Sequence, residues 1–209
     1  MRIPNPYETI LFDRTDEELE YFLLFCIVVA GKKASTQIKL LQQFLNSTSV
    51  ENLTSPFDII RRMDADGQLS FCLRASKLGQ YTRLVSCFRE VVSSGIDLRA
   101  CTIEELEAIH GIGPKTSRFF ITCNRPNVRH AVIDTHLLKF LNQYLGMTVP
   151  ATTPSGREYA RLEKAYLDYS DKVGVNPAEL DLAIWKIYGS RDDSEFKRLT
   201  NSSKAVVAA

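Results

Sequence analysis

The segment "IEELEAIHGIGPKTSRFF" (residues 103–120) constrains the fold more than any other part of the chain. Leu106 and Ile109 close one short helical pattern, and a second opens at Pro114. Gly111, Ile112 and Gly113 lie at the junction, so the two helices must turn back on each other in a tight corner. Glycine at both corner positions permits positive φ and lets another backbone come close. Ile112 can plug the groove between the helices. Backbone N–H groups of the turn and of the following helix are then expected to point outward without partners, an arrangement that binds an anion.

Charge supports that expectation locally. The net charge of the 209 residues is only +1, so no global positive field draws the chain to nucleic acid. Between Glu107 and Asp134, however, there is no acidic residue, while Lys115, Arg118, Arg125, Arg129, His110 and His130 all fall there. A DNA phosphate suits such a corner, with Gly111, Ile112, Gly113, Thr116 and Arg118 as its contacts. A helix–turn–helix corner with purely structural glycines is the other reading of a bare GxG.

Lys115 falls in the first turn of the second helix. There it can hold a phosphate or, as a neutral amine, attack an electrophilic carbon. Position alone does not separate these roles, and a second group is needed. "AVIDTHLLKFL" supplies one: Asp134 lies 19 residues beyond Lys115 and directly precedes an apolar helical run. An aspartate there is a natural N-cap. Its carboxylate can also stabilise a developing positive charge or take a proton from a neighbouring ammonium.

The remaining chain reads as all-α, with about eight to ten helices of ordinary length. "TDEELEYFLLFCIVVA" opens with a Thr15 cap and early acids, then turns apolar all round, as a central helix does. "STQIKLLQQFLNS", "SPFDIIRRM" and "QYTRLVSCFREVVSSG" continue the helical pattern, and two more helices follow Gly146. The short "HAVI" (130–133) is the best strand-like fragment, and residues 200–209 are expected to be loose.

The apolar run at 21–31 is too short to span a bilayer. The N-terminus does not show signal-peptide order, so an intracellular protein is expected. Cys26, Cys72, Cys87, Cys101 and Cys123 are odd in number and form no CxxC pattern. They read as buried thiols of a reducing compartment, with neither a metal site nor a disulfide framework.

The pattern LxxIxGIGxKT, followed about twenty residues later by V-I-D-T-H, resembles the helix-hairpin-helix superfamily of DNA glycosylases and glycosylase/lyases, whose best-known branches are endonuclease III and 8-oxoguanine glycosylase. The resemblance covers roughly residues 16–146 in order of elements, and its specific part is the hairpin-to-aspartate segment. It implies two helical lobes: residues 16–128 with the hairpin, and residues 1–15 plus 129–199. It also implies double-stranded DNA as partner, gripped beside a flipped-out modified base by a monomeric protein. Lys115 would attack the sugar C1′, and Asp134 would steady the oxocarbenium-like charge. The "AGKKAST" loop gains a meaning too, since Lys32 or Lys33 can fill the gap left by the flipped base or clamp a phosphate; a solvated turn is the alternative. Phe119, Phe120, Tyr81 and Trp185 are candidates for stacking on the base, although aromatics at helical spacing are more often core.

The chain departs from the family in two respects. No cysteine follows Cys123, so the four-cysteine iron–sulfur cluster of the endonuclease III branch is excluded and no cofactor is expected. The hairpin also reads Ile-His-Gly where the family commonly has Leu-Pro-Gly, which makes His110 unusual. The leading expectation is an N-glycosylase with β-lyase activity on a modified or mismatched base. A transferase of the same fold acting in bacteriophage thymine hypermodification, and a non-catalytic DNA-binding module, are the alternatives.

Overall fold

The computed structural model describes residues 5, 8–47, 55–190 and 192–207. They form eleven helices and no strand, with one isolated bridge between Asn5 and Glu8. Two compact units divide the chain, Met1–Asn124 and Arg125–Ala209.

The first unit is built around α1 (Asp16–Val28). Thr15 starts this helix with a capping box, its hydroxyl accepting from the Glu18 N–H while the Glu18 carboxylate accepts from the Thr15 N–H. After that first turn Glu20 is the one charged residue, accepting from the Ser55 hydroxyl and the Phe57 N–H, and Phe22, Leu23, Leu24 and Cys26 are fully buried. Burial on all sides stabilises about 1.5–3 kcal/mol per large side chain, and it explains why this helix carries no polar stripe. It packs against α2 (Ala34–Leu45), α3 (Pro56–Ala65) and α7 (Pro114–Asn124). Ser55 caps α3 by accepting from the Asp58 N–H, with Pro56 in the first turn.

α4 (Leu69–Ala75), α5 (Tyr81–Ser93) and α6 (Ile103–Ala108) complete the unit. α4 has no counterpart in the sequence expectations; seven residues carry too little periodicity to announce a helix. The N-terminal segment also belongs here, whereas residues 1–15 were expected in the second lobe. The physical reason is Arg14, whose buried guanidinium donates to the carbonyls of Leu11, Thr9 and Cys123 and to Asn124 Oδ1, and lies 4.0 Å over the Phe22 ring. The Leu11 N–H adds a bond to the Cys123 carbonyl. The segment is thereby tied to the end of α7.

The second unit contains α8 (Thr135–Gln143), α9 (Gly156–Val173), α10 (Pro177–Ser190) and α11 (Ser194–Val207). Leu137, Phe140 and Leu141 of α8 meet Tyr159, Leu162 and Tyr166 of α9 and Leu180 and Ile184 of α10 in one core. Residues 130–133 form no strand. Ala131, Val132 and Ile133 are buried coil, held by Tyr159, whose hydroxyl donates to the Ala131 carbonyl and accepts from the Ile133 N–H. Burial, not pairing, made that fragment apolar. The segment from 200 expected to be loose is instead helical as far as Val207, since no glycine or proline interrupts the pattern begun at Ser194.

Candidate active site

The hairpin is formed by α6 and α7. Thr102 caps α6 in a capping box with Glu105, and the helix stops at Ile109, which is extended (φ −76°, ψ 124°). The Ile112 N–H then bonds to the Ile109 carbonyl, while the Gly113 carbonyl accepts from the N–H groups of Thr116 and Ser117 and so starts α7. Ile112 is buried, as a plug between the helices should be. Among the described residues, the N–H groups of Gly111, Gly113 and Lys115 find no acceptor.

The two glycines are not equivalent. Gly111 has φ +88°, and a Cβ there would lie 3.2 Å from Arg83 Cγ and 3.3 Å from Cys87 Cβ of α5. The positive φ favours glycine, and a Cβ would also crowd α5. Gly113 has no positive φ and open space around its Cβ position, so the expectation of a second left-handed corner is corrected.

Part of the basic stretch is paired with acids outside it. Arg118 donates to Glu107 at 2.8 Å, and the same carboxylate oxygen accepts from the Ser117 hydroxyl at 2.8 Å, clamping α7 to α6. Arg129 makes two bonds to Asp171 at 2.7 and 2.8 Å, and His130 lies 3.8 Å from Glu163. Arg118 is therefore a strut of the hairpin. Thr116 is buried at 5% exposure, so its side chain serves the core. His110 stays exposed at the turn, its N–H donating to Glu90.

Lys115 stands apart from these cations. It sits half-buried in the first turn of α7 with no carboxylate partner among the described residues. Its Nζ lies 5.4 Å from the centroid of the half-buried Phe119 ring, which in turn packs on Phe22 of α1 at 5.7 Å. Phe120, the other aromatic of that pair, is fully buried and belongs to the core.

In the second unit Asp134 is the N-cap of α8. Its Oδ1 accepts from the N–H groups of His136 and Leu137 at 2.8 and 2.9 Å. The second carboxylate oxygen makes no bond among the described residues. Beside it, His136 stacks with Tyr188 at 6.3 Å and meets the half-buried Trp185 edge-on at 6.1 Å.

The other expected contacts scatter. Lys32 donates its ammonium to the Leu78 carbonyl, and burial, with Arg83 nearby, pushes its pKa down. It ties the α1–α2 loop to the turn before α5. Lys33 is exposed at the start of α2. Tyr81 opens α5 with the Arg74 guanidinium 4.9 Å above its ring. All five cysteines are buried free thiols; burial raises Cys26 well above the ordinary thiol range and Cys87 to about 12. No group of three potential metal ligands occurs among the described residues, and no helix there is long and apolar enough to cross a membrane.

Sequence reasoning missed Glu107 as a hairpin clamp and Arg83 altogether. Glu107 stands at the edge of the acid-free stretch, three residues before the turn, which was an available signal. Arg83 had none.

An all-helical chain with this glycine hairpin, followed by a capping aspartate on the next helix, is a protein of the helix-hairpin-helix DNA glycosylase class. More particularly, it belongs to the 8-oxoguanine DNA glycosylase family, whose model matches residues 3–175. A Korarchaeum cryptofilum protein named 8-oxoguanine DNA glycosylase/AP lyase is 27% identical over 179 residues, 84% of this chain and 82% of the relative. Proteins of the same name from Methanocaldococcus jannaschii and Thermoplasma acidophilum are 26% and 23% identical, covering 83% and 78% of this chain and 81% and 76% of their own. No solved structure gives a match. The chain is thus an enzyme of the glycosylase class, and DNA is its substrate.

Proposed function

We propose that the protein removes 8-oxoguanine from double-stranded DNA and then cuts the strand at the resulting sugar, with Lys115 as nucleophile and Asp134 as the carboxylate that stabilises positive charge on the sugar. Lys115 Nζ forms a bond to C1′ as the glycosidic bond breaks, and the base leaves with its electron pair and takes up a proton. Loss of a proton from the amine and opening of the sugar ring give a Schiff base. Loss of a C2′ proton then expels the 3′ phosphate, which nicks the strand.

The observation that carries this reading is the isolation of Lys115. Arg118 and Arg129 are held by carboxylates, whereas this amine has none among the described residues and lies over the Phe119 ring. Asp134 complements it chemically: one oxygen secures the helix and the other is open. The free N–H groups of Gly111, Gly113 and Lys115 fit a phosphate beside the flipped nucleotide. Lys33 is the exposed candidate of its loop for filling the gap left by the flipped base or clamping a phosphate. Phe119, Tyr81 and Trp185 are half-buried rings on which a base can stack.

The test is incubation with an 8-oxoguanine duplex and borohydride, with free base, nicked strand and adduct read separately. Base release, a nick and a covalent adduct are expected from the monomeric protein, and Lys115→Gln removes all three. Binding that survives Lys115→Gln with no turnover by the unaltered protein would mean that Lys115 only holds phosphate.

A further inference from the structure

Arg83 is the cation of the first unit that binds the hairpin turn itself, and the proposed chemistry leaves it unused. It lies in the first turn of α5, half-buried, and its three guanidinium nitrogens reach the cap of its own helix, the hairpin turn and α1. Nε donates to Gln80 Oε1 at 2.8 Å, one terminal nitrogen to the Gly111 carbonyl at 2.8 Å, and the other to the Ile27 carbonyl at 2.9 Å. Ile27 belongs to the last turn of α1, where carbonyls have no partner within the helix. No carboxylate pairs with Arg83 among the described residues, and burial lowers its pKa without removing the charge.

The turn before α5 is fixed by its own backbone geometry and by a bond from the α1–α2 loop. Gln80, which orients Nε, is left-handed at φ +51°, and Lys77 and Gly79 of the same turn are left-handed at +56° and +72°. Lys32 fastens this turn from the α1–α2 loop through the Leu78 carbonyl. On the other side, the Arg83 stem occupies the space that a Cβ on Gly111 would need. Arg83 therefore fixes the Gly111 peptide by a charge-assisted bond from one side and by contact from the other.

We propose that Arg83 is the positioning residue of the hairpin turn, holding Gly111 against the end of α1 so that the free N–H groups of the turn stand ready for a DNA phosphate. This rests on the phosphate-binding reading of the hairpin. Bridging two carbonyls requires the guanidinium fork; a lysine carries the same charge but cannot span Ile27 and Gly111 while meeting Gln80. Loss of the bridge leaves two carbonyls unpaired and frees the turn to move. Lys115 keeps its own support on Phe119.

The test measures affinity for a duplex carrying an uncleavable abasic analogue, and separately the single-turnover rate of borohydride trapping at saturating DNA. Arg83→Met and Arg83→Lys are both expected to weaken binding about tenfold. Both should leave the saturating rate within about threefold of the unaltered protein. Arg89→Met, which removes an exposed ion pair to Asp64, is the control and should bind normally. Circular dichroism confirms folding; if Arg83→Met does not fold, Arg83→Lys carries the same reading. Unchanged affinity in either folded variant overturns the proposal, as does full recovery in Arg83→Lys, which would mean that bare charge suffices. If the unaltered protein binds the duplex but forms no adduct, only the lyase reading falls and the affinity arm still decides on Arg83. Failure of the unaltered protein to bind duplex overturns both readings.

Discussion

Two helix starts carry the candidate chemistry, one in each unit, and the fold gains opposite things from them. Asp134 places a carboxylate at the positive end of α8 and caps two backbone N–H groups, which stabilises the helix by about 1 kcal/mol. Lys115 places a cation in the first turn of α7, where the helix dipole opposes it, and no carboxylate compensates among the described residues. A residue that serves the fold says little about chemistry. One that costs the fold something and is still in place says more, and the comparison makes Lys115 the more diagnostic of the two.

The largest expected effect separates these positions. Lys115→Gln should abolish the borohydride adduct and lower base excision by about 10³-fold or more, while thermal stability stays level or rises slightly. Asp134→Asn comes next. Asparagine keeps the cap, so the melting temperature should shift by no more than about 2 °C, yet excision should fall about 10²-fold because the charge is gone. Equal losses of stability and activity in Asp134→Asn would mean that the carboxylate is a cap alone.

Smaller effects sharpen the contrast within the hairpin. Gly111→Ala meets both a left-handed φ and the Arg83 stem, and chemical denaturation should show a loss of about 1–3 kcal/mol. Arg118→Ala removes the Glu107 clamp but leaves the Ser117 bond, for a loss of about 1 kcal/mol. Gly113→Ala, with ordinary φ and open space, should change stability by less than about 0.5 kcal/mol.

Local signals in the chain were legible where a few neighbouring residues determine the outcome. The caps at Thr15, Ser55 and Asp134, the mostly apolar α1 and the plug at Ile112 follow from spacing and side-chain chemistry within one turn. What depended on distant partners was hidden. Arg118 and Arg129 looked like a basic patch because Asp171 lies 42 residues beyond Arg129 and Glu107 lies just across the hairpin. Arg14 drew the N-terminal segment to the end of α7 through bonds spanning more than a hundred residues. For the same reason Lys32 and Thr116 read as free contacts, although the fold assigns one to a carbonyl and the other to the core.

Identification of the trapped residue tests the central claim most directly. The protein is incubated with 8-oxoguanine duplex and borohydride, digested, and the adduct located by mass spectrometry. A single modified peptide with the sugar remnant on Lys115 is predicted. An adduct on another amine, or one that persists in Lys115→Gln, would contradict the assignment.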